Sequence, residues 1–360
     1  MSREISLFFM YRTFGGGTTS YTVHLAKAMM EAGIKVHIYR VKERGEESHI
    51  RRPFAKYKGI KYRNIDAATA LKKVKQRPAL MTAPCNSKYL PFAPTIITDL
   101  MKEGMRVVIH DPNEFEIYDH LDGKKWKFKH QPFCIRPSMQ KFFPKANFIP
   151  HPYIREYSAI EYAGEHKERP HLAVSVARVT FVKRTEIILE ANKILRENGY
   201  KKDQVVLRGA ENRLYTRFKL QKLFPEFKQG GTGYPMVWGA SARECAKGVF
   251  ALDFTWFPDD GGGSQYSFME AWDAGTINII HKDWMRTPGE MSSHPTNRAK
   301  GNCIAVSGAS EAADWLMLYR QSRRWREDCL EIAGNGELTL KRYHDPVKVA
   351  EQYWELLKDG

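Results

Sequence analysis

The stretch from Phe257 to Ile280 restricts what this chain can fold into more than any other. It reads as a glycine loop, a short helix, a tight turn and a buried strand. Gly261, Gly262 and Gly263 let the backbone pass close to another group, because no Cβ stands in the way. Ser267 to Ala274 fits one short helix, and Gly275 closes it. Thr276 to Ile280 is an apolar, β-branched run that predicts a strand. The first amides of such a helix point back toward the loop and can hold a phosphate. Glu270 lies about one turn inside, near enough to the mouth to meet a ligand held there. The same pattern also fits an ordinary αβ unit with a surface carboxylate.

A chain of 360 residues can bury two cores, so two domains are expected. No apolar run reaches the length of a membrane span. Met1 to Glu4 leads directly into a strand, so no signal peptide is expected and the predicted location is the cytoplasm. Cys85, Cys134, Cys245, Cys303 and Cys329 show no paired spacing, which suits a reducing compartment and argues against a zinc site. The charge is lopsided. Residues 1–150 hold 27 Lys+Arg against 13 Asp+Glu, net +14, while residues 151–360 hold 30 against 28, net +2. One basic half suggests a polyanionic partner, nucleic acid or anionic membrane.

Ile5 to Tyr11 predicts a strand, Gly15-Gly16-Gly17 a turn, and Thr18 or Ser20 can cap a helix running to about Ala32. Ile34 to Val41 follows as a second strand, which makes a Rossmann-like opening. The dinucleotide fingerprint is absent, so the glycine turn is either a ligand-facing loop or a plain turn. Between Glu43 and Arg63, basic residues including Arg51, Arg52, Lys56 and Lys58 alternate with Phe54, Tyr57 and Tyr62. Lys72, Lys73, Lys75 and Arg77 fall on a predicted helix, and Lys124, Lys125, Lys127 and Lys129 surround Trp126 and Phe128. Such runs are usually solvated faces, but mixed with aromatics in a basic domain they suit a phosphate backbone.

Met105 to Ile109 predicts a buried strand that ends in His110-Asp111-Pro112. Polar residues at the carboxyl end of a parallel strand face the crevice where ligands bind, although Asp111 could merely begin a turn. The linker is placed at Tyr162 to Pro170. After a strand at Leu172 to Ala177, Arg178 and Lys183 flank a loop that leads into a helix at Glu186 to Glu197. Two cations five apart on such a loop can clamp a diphosphate, or can simply be surface charges. Gln204 to Arg208 predicts a strand ending at Gly209, Pro235 to Trp238 another before Gly239, and Phe250 to Phe257 a third. A helix is expected around Arg243 to Lys247, and Trp238 also suits a core position. Asp345 to Leu357 reads as an amphipathic helix.

The run Phe268-Met269-Glu270-Ala271-Trp272-Asp273-Ala274-Gly275-Thr276 resembles the glutamate-bearing motif of retaining nucleotide-sugar glycosyltransferases of the GT-B fold. With the glycine turn, the His-Asp pair and the Arg178–Lys183 spacing in the same order, the chain is similar to their divergent branch, the bacteriophage DNA α-glucosyltransferases. The usual second glutamate, eight positions earlier, is Gly262 here, so the sugar contacts of that loop are not carried over. The resemblance implies an α/β protein with two Rossmann-like domains facing a central cleft. The first would span 1–160, completed by a last helix at 345–360, and the second 165–340. It implies a UDP-sugar as co-substrate and no tightly bound cofactor or metal. Arg178 and Lys183 would grip the diphosphate, helped by helix amides at Tyr266 and Ser267, and Glu270 would hold the ribose. Gly209, Trp238 and Gly239 would lie along the nucleoside, with Gly16 and Gly17 in the donor-facing loop. Asp111, beside His110, would take or orient the acceptor hydroxyl's proton, with retention at the sugar carbon.

For the acceptor, the resemblance and the basic first domain favour duplex DNA carrying a hydroxymethylated pyrimidine, which must leave the stack to react. Arg51, Arg52, Lys56, Lys58, Lys124, Lys125 and Lys127 would then track the phosphates. A cell-envelope glycosyltransferase and a non-catalytic binding protein of the same fold are the other readings. No basic amphipathic helix with exposed Trp or Leu is evident near the N-terminus, so no membrane partner is expected, and a monomer is.

Overall fold

The computed structural model describes residues 3–10, 17–42, 60–85, 90–110, 128–155, 166–227, 240–255, 266–282 and 301–358. The chain divides into two compact units: Met1–Ile154 with Tyr343–Gly360, and Arg155–Arg342.

The first unit is built on seven parallel strands: β1 (Glu4–Phe9), β2 (Lys35–Val41), β3 (Arg63–Ile65), β4 (Ala79–Ala83), β5 (Arg106–Ile109), β6 (Phe133–Cys134) and β7 (Asn147–Phe148). Their order in the sheet is β3-β2-β1-β4-β5-β6-β7. The strands are short apolar runs, and β4 is buried along its whole length, as parallel strands covered on both faces require. Helices α1 (Gly17–Glu31), α2 (Ala67–Val74) and α3 (Ala93–Lys102) make the crossovers. Because α1 begins at Gly17, Thr18 and Ser20 lie inside its first turn and neither is its cap. Asp66 caps α2, accepting from the Thr69 amide at 2.7 Å. Lys72 and Lys73 sit in its last turn, while Lys75 is its C-cap and Arg77 lies beyond it.

The second unit carries a parallel sheet of β8 (His171–Val176), β9 (Val206–Arg208), β10 (Gly248–Asp253), β11 (Ile277–His281) and β12 (Cys303–Val306). Its order is β12-β11-β10-β8-β9. Helices α4 (Thr185–Glu197), α5 (Ala240–Cys245), α6 (Tyr266–Asp273), α7 (Ala309–Gln321) and α8 (Arg323–Tyr343) accompany it. Strand β10 stops at Asp253 rather than running to Phe257, because the Asp253 side chain takes the Thr255 amide at 2.9 Å and turns the chain. Helix α6 ends in a paired turn: the Gly275 amide donates to Trp272 and the Thr276 amide to Ala271, with Gly275 at φ 64°. Trp272 anchors α6, buried and donating from Nε1 to the Asn302 carbonyl at 2.8 Å. Burial of such a side chain contributes roughly 1.5–3 kcal/mol.

The last helix, α9 (Pro346–Leu357), belongs to the first unit. Asp345 caps it through the Lys348 amide, and Pro346 occupies its first turn, where a missing N–H is harmless. It packs on α1, with a 2.6 Å hydroxyl–hydroxyl hydrogen bond between the buried Tyr21 and Tyr353.

Candidate functional site

In an open parallel sheet, ligands bind beyond the carboxyl ends of the strands where the strand order reverses. In the second unit that point lies between β8 and β10. Ala251 pairs with Val174, so two residues further on Asp253 is level with Val176, the end of β8. The loops after these strands therefore leave the sheet side by side.

The loop after β8 carries the two predicted cations. Arg178 is exposed and makes no hydrogen bond or ion pair among the described residues. Val179 is tied to the loop after β9, donating to the Ala210 carbonyl and accepting from the Asn212 amide, each at 2.9 Å. This junction explains Gly209. At φ 151° it passes so close to Ala177 that a Cβ would stand 2.1 Å from that residue's carbonyl oxygen. The loop continues as one 3₁₀ turn, Phe181–Lys183, and Arg184 follows in the left-handed region at φ 47°. A non-glycine residue there is strained, and such strain tends to collect in ligand loops.

Asp253 is the centre of the site. Only 5% exposed, its carboxylate accepts from the Thr255 amide and hydroxyl on Oδ1 and from the Ser267 hydroxyl on Oδ2 at 3.0 Å. Lys183 Nζ approaches the same Oδ2 at 3.5 Å. A buried carboxylate needs this density of donors and a cation. The node fixes three pieces together: the β8 loop, the end of β10 and the first turn of α6. Ser267 uses its hydroxyl to hold Asp253. Tyr266 and Ser267 open α6, and the first N–H groups of a helix have no partner within it, so this end of α6 is the one suited to an anion. Glu270 is half-buried one turn further along α6. Its carboxylate, after burial itself, pushes the neighbouring Cys245 thiol well above the usual range, so that thiol is inert. Cationic loop, helix start, the anchored Asp253 and the half-buried Glu270 together make a place suited to a diphosphate joined to a hydroxylated group.

In the first unit His110 follows β5 and is buried. Its Nε2–H donates to the Thr82 carbonyl at 2.7 Å, its ring meets Tyr21 edge-on with centroids 4.8 Å apart, and its own carbonyl accepts from Arg136 at 2.6 Å. The ring is thus locked at a strand end. Gly17 opens α1, and among the described residues outside its own turn no atom lies within 4 Å of a Cβ placed on it. Gly16, Asp111, Trp238 and Gly239 lie outside the described residues, as do Arg51, Arg52, Lys56, Lys58, Lys124, Lys125 and Lys127.

The sequence pattern missed Asp253, which it placed inside a longer strand. The signal available was Asp253-Phe254-Thr255: an acid two residues before a hydroxyl at the end of an apolar run is an Asx-type turn.

No protein-family profile matches the chain, and no curated protein sequence does. Solved structures share its fold over nearly its whole length. Anabaena HepE in complex with UDP-glucose superposes with a TM-score of 0.70 at 12% identity, covering 99% of this chain and 100% of the other. An α-glucosyltransferase in complex with UDP and a 13-mer DNA containing an HMU base gives 0.68 at 12% identity, with 99% and 100% covered. The same type of enzyme with UDP alone also gives 0.68, at the same identity and coverage. The chain has the GT-B fold of these glycosyltransferases.

Proposed function

We propose that this protein is a retaining glycosyltransferase that uses a UDP-sugar, with glucose as the first candidate sugar. The observation that carries the proposal is the Asp253 node, which draws Lys183 and the start of α6 together at the switch point beside Arg178. The solved structures of the same fold hold UDP or UDP-glucose, which supports the choice of donor. In this reading the second unit binds the donor. Arg178, Lys183 and the amides of Tyr266 and Ser267 stabilise the charge that grows on the diphosphate as the glycosidic bond breaks. Glu270 accepts from the ribose hydroxyls. Asp111 takes or orients the proton of the incoming hydroxyl, and the locked His110 ring fixes the strand end from which Asp111 departs.

For the acceptor we propose duplex DNA bearing a hydroxymethylated pyrimidine, handled by the first unit. The net +14 of residues 1–150 supports it, with Arg51, Arg52, Lys56, Lys58, Lys124, Lys125 and Lys127 as the phosphate contacts. A complex of the same fold with HMU-containing DNA is consistent with it. The second reading is a cell-envelope glycosyltransferase of the same fold acting on a lipid or polysaccharide, with which the exposed apolar and cationic side chains of residues 213–223 are compatible.

The test is incubation with UDP-sugars and either hydroxymethylated or plain duplex DNA, followed by digestion and nucleoside mass spectrometry. A hexose-sized gain confined to the hydroxymethylated nucleoside supports the proposal. Hydrolysis or binding of UDP-sugar without any gain on DNA removes the DNA acceptor and keeps the donor. Failure to bind any UDP-sugar removes both.

A further inference from the structure

The second unit presents an exposed face that the donor site does not use. Residues 212–224 read Asn-Arg-Leu-Tyr-Thr-Arg-Phe-Lys-Leu-Gln-Lys-Leu-Phe, with four cations and no acid. They form one helical segment in three parts: an α turn at Arg213–Tyr215, a π turn at Thr216–Leu220 and an α turn at Gln221–Leu223. The π turn inserts one extra residue. It sets the register of both sides. Tyr215, Leu220 and Phe224 stay in the apolar cluster with Val179 and Leu189. Leu214, Phe218 and Leu223, spaced four and then five apart, emerge on the outside, 68%, 57% and 57% exposed.

Phe181, from the loop that carries Arg178 and Lys183, is 59% exposed and meets the same segment at Lys219. Lys219 Nζ lies 5.0 Å from the centre of its ring, and the Arg217 guanidinium 5.6 Å from that of Phe218. Arg213, Arg217 and Lys222 make no ion pair among the described residues. A soluble surface rarely leaves several large apolar side chains together without a partner.

We propose that this face docks on an anionic lipid bilayer surface. The chemistry is that of an interfacial helix: Leu214, Phe218 and Leu223 enter the boundary of the acyl chains, while the cations remain among the headgroups. Charge complementarity selects anionic lipid over zwitterionic lipid. Duplex DNA could satisfy the cations, but its phosphate backbone offers no apolar phase for the three outward side chains. The docking does not depend on which sugar or acceptor is used. It would hold the donor loop at the membrane through Phe181.

The full chain is sedimented with phosphatidylcholine vesicles, with and without phosphatidylglycerol. Sedimentation is expected only with the anionic vesicles. The double variant Leu214→Ser/Phe218→Ser should lose it by about tenfold or more, given the transfer free energy of two large side chains. Arg217→Gln should lower it about fivefold, with the defect masked by high salt. A second measurement does not depend on the double variant folding. Phe218→Cys is labelled with a polarity-sensitive dye, the five native cysteines being buried; emission should shift on adding anionic vesicles. The proposal is overturned if wild-type protein stays in the supernatant with anionic vesicles, if the dye does not respond, or if the double variant sediments like wild type. It is also overturned if duplex DNA quenches the vesicle response and the same variants lose DNA binding.

Discussion

Lys183 and Asp253 are seventy residues apart in the chain, yet Nζ of one lies 3.5 Å from Oδ2 of the other beyond the ends of two adjacent parallel strands. The lysine is therefore held in place before any ligand arrives. A preorganised cation loses less freedom on binding a diphosphate than a free surface lysine does.

Coupling between the two follows from that. Lys183→Ala should weaken UDP binding by tenfold or more, since a charge-assisted contact is worth roughly 1.5–3 kcal/mol. Asp253→Asn keeps an oxygen for Thr255 but removes the anion that positions Lys183, and should weaken UDP about fivefold. In the Lys183→Ala background the Asp253 effect should shrink to the part carried by its bond from Ser267. Calorimetric titration of the four proteins measures this, and simple additivity would show that Asp253 acts through something other than the lysine.

Glu270→Gln tests the ribose contact. The donor affinity should fall several-fold, because one of two acceptor oxygens becomes a donor. The melting temperature should stay within a degree or two, since Glu270 is only half-buried on α6. Unchanged UDP affinity would make Glu270 a structural residue.

Gly209→Ala places a methyl group 2.1 Å from the Ala177 carbonyl oxygen, at a φ of 151° that L-residues avoid. The loops after β8 and β9 must part to admit it. Urea denaturation should show a loss of about 1–3 kcal/mol, the usual range for overpacking. UDP affinity should fall with it, because Arg178 is the next residue along the displaced strand end. A variant as stable as wild type would mean that the two loops are not held as close as described.

Acid sensitivity is expected from two buried histidines. His344 donates from Nδ1 to the His151 carbonyl at 2.8 Å, and burial lowers its pKa to about 4. His166 donates from Nε2 to the Gly275 carbonyl at 2.7 Å, and burial, then the charge of Arg169, brings it to about 4. The ordinary value is 6.5, so between these pH values the unfolded chain binds more protons than the folded one. Stability is then complete above about 6.5, falls as pH drops toward 4, and levels off below, by at most roughly 3 kcal/mol for each group. His344→Asn keeps the donor to His151 without a titrating ring. Its denaturation midpoint should depend less steeply on pH than that of wild type across that window, and equal slopes would contradict the assignment.

Much of the fold was legible in the residues. Short apolar β-branched runs such as Thr276 to Ile280, closed by Gly275, predict a buried strand after a helix because each step is local. The spacing of Arg178, Lys183 and Glu270 was equally visible, and so was the charge held by residues 1–150. Boundaries shifted where a side chain intervened: β10 ends at Asp253 because its carboxylate captures the Thr255 amide, whereas the apolar run alone continues to Phe257.

Other features were decided only by the tertiary structure. The sheet order β12-β11-β10-β8-β9 sets β8 beside β10 across more than seventy residues of chain, and no local propensity encodes which strand becomes a neighbour. That pairing brings Lys183 and Ser267 to one carboxylate, and the pairing of β8 with β9 gives Gly209 its contact with Ala177. The outward face of Leu214, Phe218 and Leu223 was hidden for a related reason. Their spacing fits neither helix nor strand period until a π turn adds one residue, and the inward packing of Tyr215, Leu220 and Phe224 against Val179 and Leu189 accompanies that turn. Composition and local pattern set which segments become helix or strand, because those choices depend on neighbours in sequence. Which side chains meet depends on the free energy of burying surfaces far apart in the chain, and that is settled only when the strands pair.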